Sequence, residues 1–288
     1  METVEETLLE HREAPTQSAG VQAGAYLLEL SSDWIVLRAS ENVHHLLGES
    51  HVTLIGEPLG RFVHSDALHD LRNLFSRLSG TLGVARAYRI RLTDEPELFD
   101  IAFHLSDDRV LLEALPCTGA FGEAFGTVAG LISGLANSDG QALLDAGARR
   151  MRALTGHDRV SLRIGERSAE SSRGGFAAAA AAAEDLPILI ADSDAPTIAL
   201  FPRTDDDSAA AVALLRAPSE EQRDRLGRDG VRALLRVPFD ADGHEGEFRC
   251  DSRTARAASL ELHAAAEIFA QMFAARLEID RLKRGPSK

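Results

Sequence analysis

The chain has 288 residues, 44% hydrophobic and 26% charged, an ordinary globular composition with room for about two domains. Its formal net charge of −14 argues against nucleic acid and anionic membrane surfaces, which are bound mainly through Lys and Arg contacts to phosphate. The two cysteines, Cys117 and Cys250, are too few for a disulfide framework and fit a reducing cytoplasm; the acidic start METVEETLLEHRE lacks the basic and apolar regions of a secretory signal, and no apolar run reaches the ~20 residues that span a bilayer.

Residues 1–20 read as a polar, extended segment. Tyr26–Leu30 and Trp34–Ala39 read as short strands joined by the turn-rich Ser31–Asp33. Asn42–Leu47 is a short helix stopped by Gly48, and Leu68, Leu71, Phe75 and Leu78 give helical spacing over His64–Leu78. Three strand-like runs follow, Ala85–Leu92, Leu98–Leu105 and Val110–Leu115, the last two separated by the hairpin candidate Ser106–Asp108. Thr118–Ala136 is Gly- and Ala-rich and reads as a linker continuing into helix. Gln141–Leu154 is an amphipathic helix closed by Gly156, and Asp158–Ile164 is a strand. Ser168–Gly175 opens a low-complexity insert that runs into Phe176 and an alanine run ending at Ala183, read as one or two turns of helix. After Leu186–Pro202 come a charged helix, Ser219–Arg228, the strands Val231–Val237 and Glu247–Cys250 around a turn at Asp240–Gly243, and one long helix, Ala257–Lys283.

Few residues suggest chemistry. His44, His45, His51, His64 and His69 lack metal-ligand spacing: His64 and His69 are five apart, and adjacent His44 and His45 should point to different faces. Asp66 with Asp70, and the run Asp205–Asp207, have no nucleophile or His partner and read as solvated carboxylates. The glycines of Gly119–Gly126 match no phosphate-binding spacing. Cys250 reads as an inert core thiol. The terminal helix carries more information. Ile268, Met272, Ala275, Ile279 and Leu282 are spaced four, three, four, three, an a/d seam suited to a parallel homodimer. Phe269, Phe273 and Leu277 form a second apolar row that should pack on the preceding sheet.

Four collinear segments resemble bacteriophytochromes: FDIAFHLSDDRVLLEALP (Phe99–Pro116) with its Glu-x-x-Pro ending, LTGHDRV (Leu154–Val160), LPILIADSDAPTIALFP (Leu186–Pro202) and RLGRDGVRALLRVPF (Arg225–Phe239). The resemblance implies an α+β chain in which a PAS domain precedes a GAF domain, each an antiparallel sheet flanked by helices. It implies boundaries of 1–20 for the extended segment, 21–118 for PAS, 119–137 for the linker and 138–288 for GAF, with a signalling helix over 256–284. It also implies that Leu186–Pro202 forms a lasso through which the N-terminal segment threads in a figure-of-eight knot.

The same alignment removes the chromophore residues. The family's bilin-attachment cysteine falls on Glu10, and a carboxylate cannot form a thioether. Its Ile-Gln-Pro-His-Gly turn falls on Val21–Ala25. Its two pocket histidines fall on Gln222 and Asp251, and a pocket tyrosine on Arg163. Arg163 and Asp251 are expected to pair across the shrunken pocket. The alanine run stands where the family's Asp-Ile-Pro segment would be, and nothing here corresponds to the family's PHY domain. The expectation is a cytoplasmic, non-enzymatic bacterial signalling module with no cofactor and no metal. It would act as a homodimer through its terminal helix, with a histidine kinase or another signalling protein as partner. The alternative is a ligand sensor that binds biliverdin noncovalently, or a smaller molecule in the GAF pocket.

Overall fold

The computed structural model describes residues 20–76, 84–106, 108–117, 119, 121–174, 176, 186–204, 207–241 and 243–284. The first unit runs β1 (Gly20–Gln22), β2 (Tyr26–Ser31), β3 (Val36–Ser40), α1 (His44–Leu47), α2 (His51–Leu54), α3 (Ser65–Phe75), β4 (Val84–Ile90), β5 (Phe99–Ser106) and β6 (Arg109–Pro116). Helix α4 (Glu123–Ser133) leads into the second unit. That unit comprises α5 (Gly140–Thr155), β7 (Arg159–Ile164), β8 (Arg167–Ser172), β9 (Leu189–Ile190), β10 (Thr197–Phe201), α6 (Ser208–Ala211), α7 (Glu220–Arg228), β11 (Ala233–Ala241), β12 (His244–Ser252) and α8 (Leu260–Arg284).

The α+β architecture agrees with the sequence reading, and several details correct it. Trp34 sits at φ 65°, in the left-handed region, so the second strand starts at Val36. A left-handed non-glycine is unfavourable by about 1–2 kcal/mol. Burial of the indole against Phe75 and Phe103, each 5.9 Å away, offsets that cost. Ser168–Ser172, assigned to an insert, belongs instead to β8 (Arg167–Ser172), which pairs along its whole length with β7; Ser and Glu on its outward positions hid the alternation. The alanine run, Leu78 and Glu10 lie outside the described residues.

The larger correction is that the two units do not keep separate sheets. One seven-stranded antiparallel sheet has the order β1-β10-β3-β2-β6-β5-β4, so a strand of the second unit sits between the N-terminal strand and the first unit. Gly20–Gln22 pairs with Thr197–Ala199, and Leu200 and Phe201 pair with Ser40 and Ala39. The predicted lasso is therefore a sheet strand. The figure-of-eight crossing turns on the path of residues 1–19, which lie outside the described residues.

This sheet is buried on both faces. Tyr26, Leu28 and Leu30 of β2, Val110, Leu112 and Ala114 of β6, and Ile101 and Phe103 of β5 share one core with the small helices. The alternate residues, Leu27, Leu111, Leu115 and Ala102, belong to a second core shared with the later unit. Period-two alternation therefore means two apolar faces here, rather than one wet and one dry.

The polar residues on the second face are each matched. The Glu113 carboxylate, fully buried, accepts the backbone N–H groups of Leu214 (2.8 Å) and Leu215 (2.7 Å) and lies 2.7 Å from His104 Nε2. Buried Glu29 pairs with Arg38 and Arg109, and Arg38 also reaches Asp207 at 2.8 Å. Gln22 donates to the carbonyls of Leu189 and Arg216 and accepts the N–H of Ala191.

The second sheet has the order β8-β7-β12-β11-β9, and one face packs on α5 and α8. Phe239 and Phe248 meet Phe269 and Phe273 of α8, with Phe248–Phe273 centroids 5.2 Å apart. Gly147 lets α5 approach: a Cβ there would lie 2.4 Å from the Phe273 ring. Helix α8 also terminates its neighbours. Glu261 accepts the N–H groups of Gly122 and Ala124 at the start of α4, and Asp280 accepts the N–H of Gly140 at the start of α5. A carboxylate at a helix N-terminus is favourable both as acceptor and against the dipole. On the other side, Arg86 of β4 pairs with Glu267 (2.9 Å) and donates from Nη2 to Nδ1 of His263 at 2.9 Å.

Two tests follow from this geometry. Glu113→Ala strands two backbone donors and should lower unfolding free energy by about 3 kcal/mol in urea titration, whereas Glu57→Ala, which removes an exposed pair with Arg61, should change it by less than about 0.5 kcal/mol. His263 is buried, and burial with Arg86 beside it lowers its pKa to about 3. The unfolded state then binds more protons than the folded state between pH 6.5 and about 3. Stability should fall as pH drops through that window, at up to about 1.4 kcal/mol per pH unit from this group. The difference between wild type and His263→Gln across the window measures it, and equal slopes would contradict the assignment.

Candidate functional site

The face of the second sheet opposite α5 and α8 is where the sequence resemblance puts a tetrapyrrole, and its side chains follow from strand register. Residues directly opposite in antiparallel strands project to the same side. Asp251 of β12 lies opposite Arg159 of β7, Arg249 opposite Ser161, and Glu247 opposite Arg163. On the next strand, Leu234, Arg236 and Pro238 continue the same three rows. The face therefore carries Arg159, Arg163, Arg236, Glu247, Arg249 and Asp251 beside Ser161, Pro238 and the buried Leu234, while Val160, Leu162, Phe248 and Cys250 fill the helix side.

The expected Arg163–Asp251 pair does not form. Asp251 is fully buried and takes Arg159 through Nε (2.9 Å) and Nη2 (2.6 Å), and Arg249 through Nε (2.9 Å). Arg163 is exposed, four residues further along its strand. Glu247, opposite Arg163, pairs instead with Arg236 at 2.6 Å. The sequence-based pairing matched charges but not the register, which the turn between β11 and β12 sets. Arg159 and Arg249 were missed; the alternation of β12 puts Arg249 and Asp251 on one face and was available as a signal.

Gln222 is committed elsewhere. It is the third residue of α7, and its side-chain oxygen accepts the Ser219 N–H at 2.9 Å while Ser219 Oγ accepts the Gln222 N–H. This reciprocal capping box is legible as Ser-Glu-Glu-Gln. Phe176 lies between two guanidinium groups, 4.4 Å from that of Arg159 and 4.0 Å from that of Arg253. Glu10 lies outside the described residues.

Burial pushes the Cys250 thiol far up, and burial with a hydrogen bond to Asp100 raises Cys117 to about 11. Neither is a thiolate at neutral pH. The rings of His44 and His45 are tilted together with centroids 3.9 Å apart rather than pointing to different faces. Among the described residues no group of three or more His, Cys, Asp or Glu is placed to hold a metal ion, and no helix is long and apolar enough to cross a membrane. Asp207 of the acidic run is bound to Arg38.

On α8, Phe269 and Phe273 are fully buried and Leu277 nearly so, as the second apolar row predicts. The seam faces outward: Ile268 and Met272 are 47% exposed, Ile279 48%, Leu282 69%, and Ala275 is exposed between them.

Residues 18–116 match the family model for the PAS fold. No curated protein matches by sequence. Among solved structures, the chromophore-binding domain of an unusual bacteriophytochrome from R. palustris superposes with a TM-score of 0.74 at 21% identity, over 92% of this chain and 96% of that one. The chromophore-binding domain of Stigmatella aurantiaca phytochrome P1 gives 0.70 at 24% identity, over 90% and 95%. The photosensory core module from the same organism gives 0.74 at 23% identity, over 91% of this chain and 58% of that one. In fold the chain is a phytochrome-like PAS–GAF module.

The ion-pair geometry makes a direct prediction. Asp251→Ala leaves two buried guanidinium groups without their carboxylate and should cost about 3–5 kcal/mol in urea unfolding. Arg163→Ala should cost less than about 0.5 kcal/mol. The reverse order would show that the register assigned to β12 is wrong.

Proposed function

We propose that this chain is a phytochrome-like signalling or regulatory module that has given up covalent bilin binding and acts as a dimeric sensory or protein-interaction scaffold. The observation that carries the reading is the buried Arg159–Asp251–Arg249 group on the sheet face where a tetrapyrrole would rest. A large apolar chromophore on that face would have to displace or cover paired charges. Arg236 and Glu247 extend the charged surface, and Glu10 in place of a cysteine removes the nucleophile. These residues do not fit a bilin.

The output surface in this reading is the α8 seam of Ile268, Met272, Ala275, Ile279 and Leu282. Exposed apolar residues at alternating four- and three-residue spacing suit a parallel helix pair. Catalysis is not part of the proposal: the described residues bring together no nucleophile, base and oxyanion donors. The partner would be a second copy of the chain, and through the dimer a histidine kinase or another signalling protein. Two free thiols with raised pKa values suit a reducing cytoplasm.

Two measurements test the proposal. Incubation with excess biliverdin should give no red-shifted absorbance band and no zinc-fluorescent adduct on a denaturing gel. A red-shifted band without an adduct would favour the noncovalent sensor instead. Light-scattering mass should be that of a dimer, and Met272→Glu should shift it to the monomer with unchanged circular dichroism. A monomeric wild type would remove the scaffold role assigned to the seam.

A further inference from the structure

A cavity of about 340 Å³ lies at the sheet edge where β9 and β11 meet the segment leading into α8, with Leu234 of the charged face among its lining residues. That volume is at the small end of the roughly 300–1,000 Å³ usual for ligand sites. Leu189, Leu235 and Leu262 supply apolar wall from three different elements, and His157, Arg256 and Ser259 supply the polar groups. In a chain of net charge −14, no carboxylate lines this cavity among the described residues.

The polar groups retain hydrogen-bonding capacity. Arg256 donates from Nη1 to the carbonyl of Gly156 and from Nη2 to that of Thr155, both at 3.1 Å, which fixes the guanidinium while leaving Nε without a partner among the described residues. Ser259 Oγ accepts the N–H of Leu262 at 3.1 Å, so its hydroxyl proton is free to be donated. His157 is 5% exposed, and its Nδ1 has no hydrogen-bond partner among the described residues. Burial and the neighbouring Arg256 lower its pKa to about 4, so it meets the cavity as a neutral ring. A fixed cation, a hydroxyl donor and apolar walls, with no carboxylate among the lining residues, match one ligand chemistry.

We propose that this cavity is a binding site for a small apolar monocarboxylate, its carboxylate held by Arg256 and Ser259 and its tail against Leu189, Leu235 and Leu262. Occupancy would brace the 255–259 segment against Leu189–Ala191, which Gln22 and β10 tie to the first unit, and so join the crossover to the first turn of the output helix. The backbone already links these parts: Arg256 N–H donates to the Ala191 carbonyl at 2.9 Å. The site shares Leu234 with the charged face but none of that face's ion-paired residues, and its existence does not depend on whether bilin binds.

The test is titration of the full chain with hexanoate, followed by calorimetry and by amide chemical-shift mapping, with hexanol and hexylamine as matched probes. The expected result is saturable one-site binding of hexanoate, at least tenfold weaker binding of both controls, and shifts centred on His157, Leu189, Leu235 and Leu262. Amide exchange at Leu262 and His263 should slow on binding. Ala257→Phe, at the cavity wall, should abolish binding, and Arg256→Gln should weaken it at least tenfold. No binding, equal binding of hexanol, shifts confined to the Ile268–Leu282 seam, or binding untouched by Ala257→Phe would each overturn the proposal. If the variants fail to fold, the probe comparison and shift map on the wild type decide it alone.

Discussion

The Glu113 carboxylate is the contact on which the arrangement of the two units rests. It stands in the middle of the PAS-fold sheet, with no exposure, and is held by two backbone N–H groups from the other unit and by His104. A carboxylate in such a place is favourable only when every lone pair it turns inward is met. Meeting them fixes where Leu214 and Leu215 lie relative to β6. With that distance set, β10 can add to the sheet edge beside β3, and β1 can add beyond it. The apolar contacts around Glu113 supply most of the stability, and the carboxylate supplies the register between the units.

The same logic with a different outcome governs the second sheet. Asp251, Arg159 and Arg249 are all buried, and desolvation of three charges consumes most of what their attraction returns. Such a group contributes little net stability but strongly disfavours any arrangement that separates its members. It keeps one sheet face polar and closed, while the opposite face carries the Phe239, Phe248, Phe269 and Phe273 cluster. The aromatic packing lies on the α5 and α8 side, and a smaller apolar cluster of Leu186, Ile190, Leu226, Val231 and Leu234 is separate from it.

Helix α8 gathers these constraints. One row of its residues fills the aromatic core, Glu261 and Asp280 terminate α4 and α5, and Glu267 with His263 meets Arg86 of the first unit. Its remaining apolar row is exposed. A helix fixed on three sides by both units can report a displacement in either one along its free side. The Arg86 contact gives the first unit a direct connection to that helix, independent of anything on the charged sheet face.

Period-two alternation, glycine stops and helical spacing were enough to locate β2, β5, β6, α3, α5, α7 and α8, because these signals act within a few residues. The α8 seam and its buried second row were equally legible, since both depend only on the 3.6-residue repeat. Sequence also excluded a thioether at Glu10, because that is a property of the residue type alone. The tertiary structure decided the partners. It set Asp251 opposite Arg159 instead of Arg163, drew Gln222 into its own helix cap, and joined β10 to the first unit's sheet. The Gln222 cap is local and stands in the sequence as Ser-Glu-Glu-Gln; the other two depend on strand register or on the approach of segments more than 90 residues apart, and side-chain identity carries charge and size but not the coordinates at which two distant strands meet.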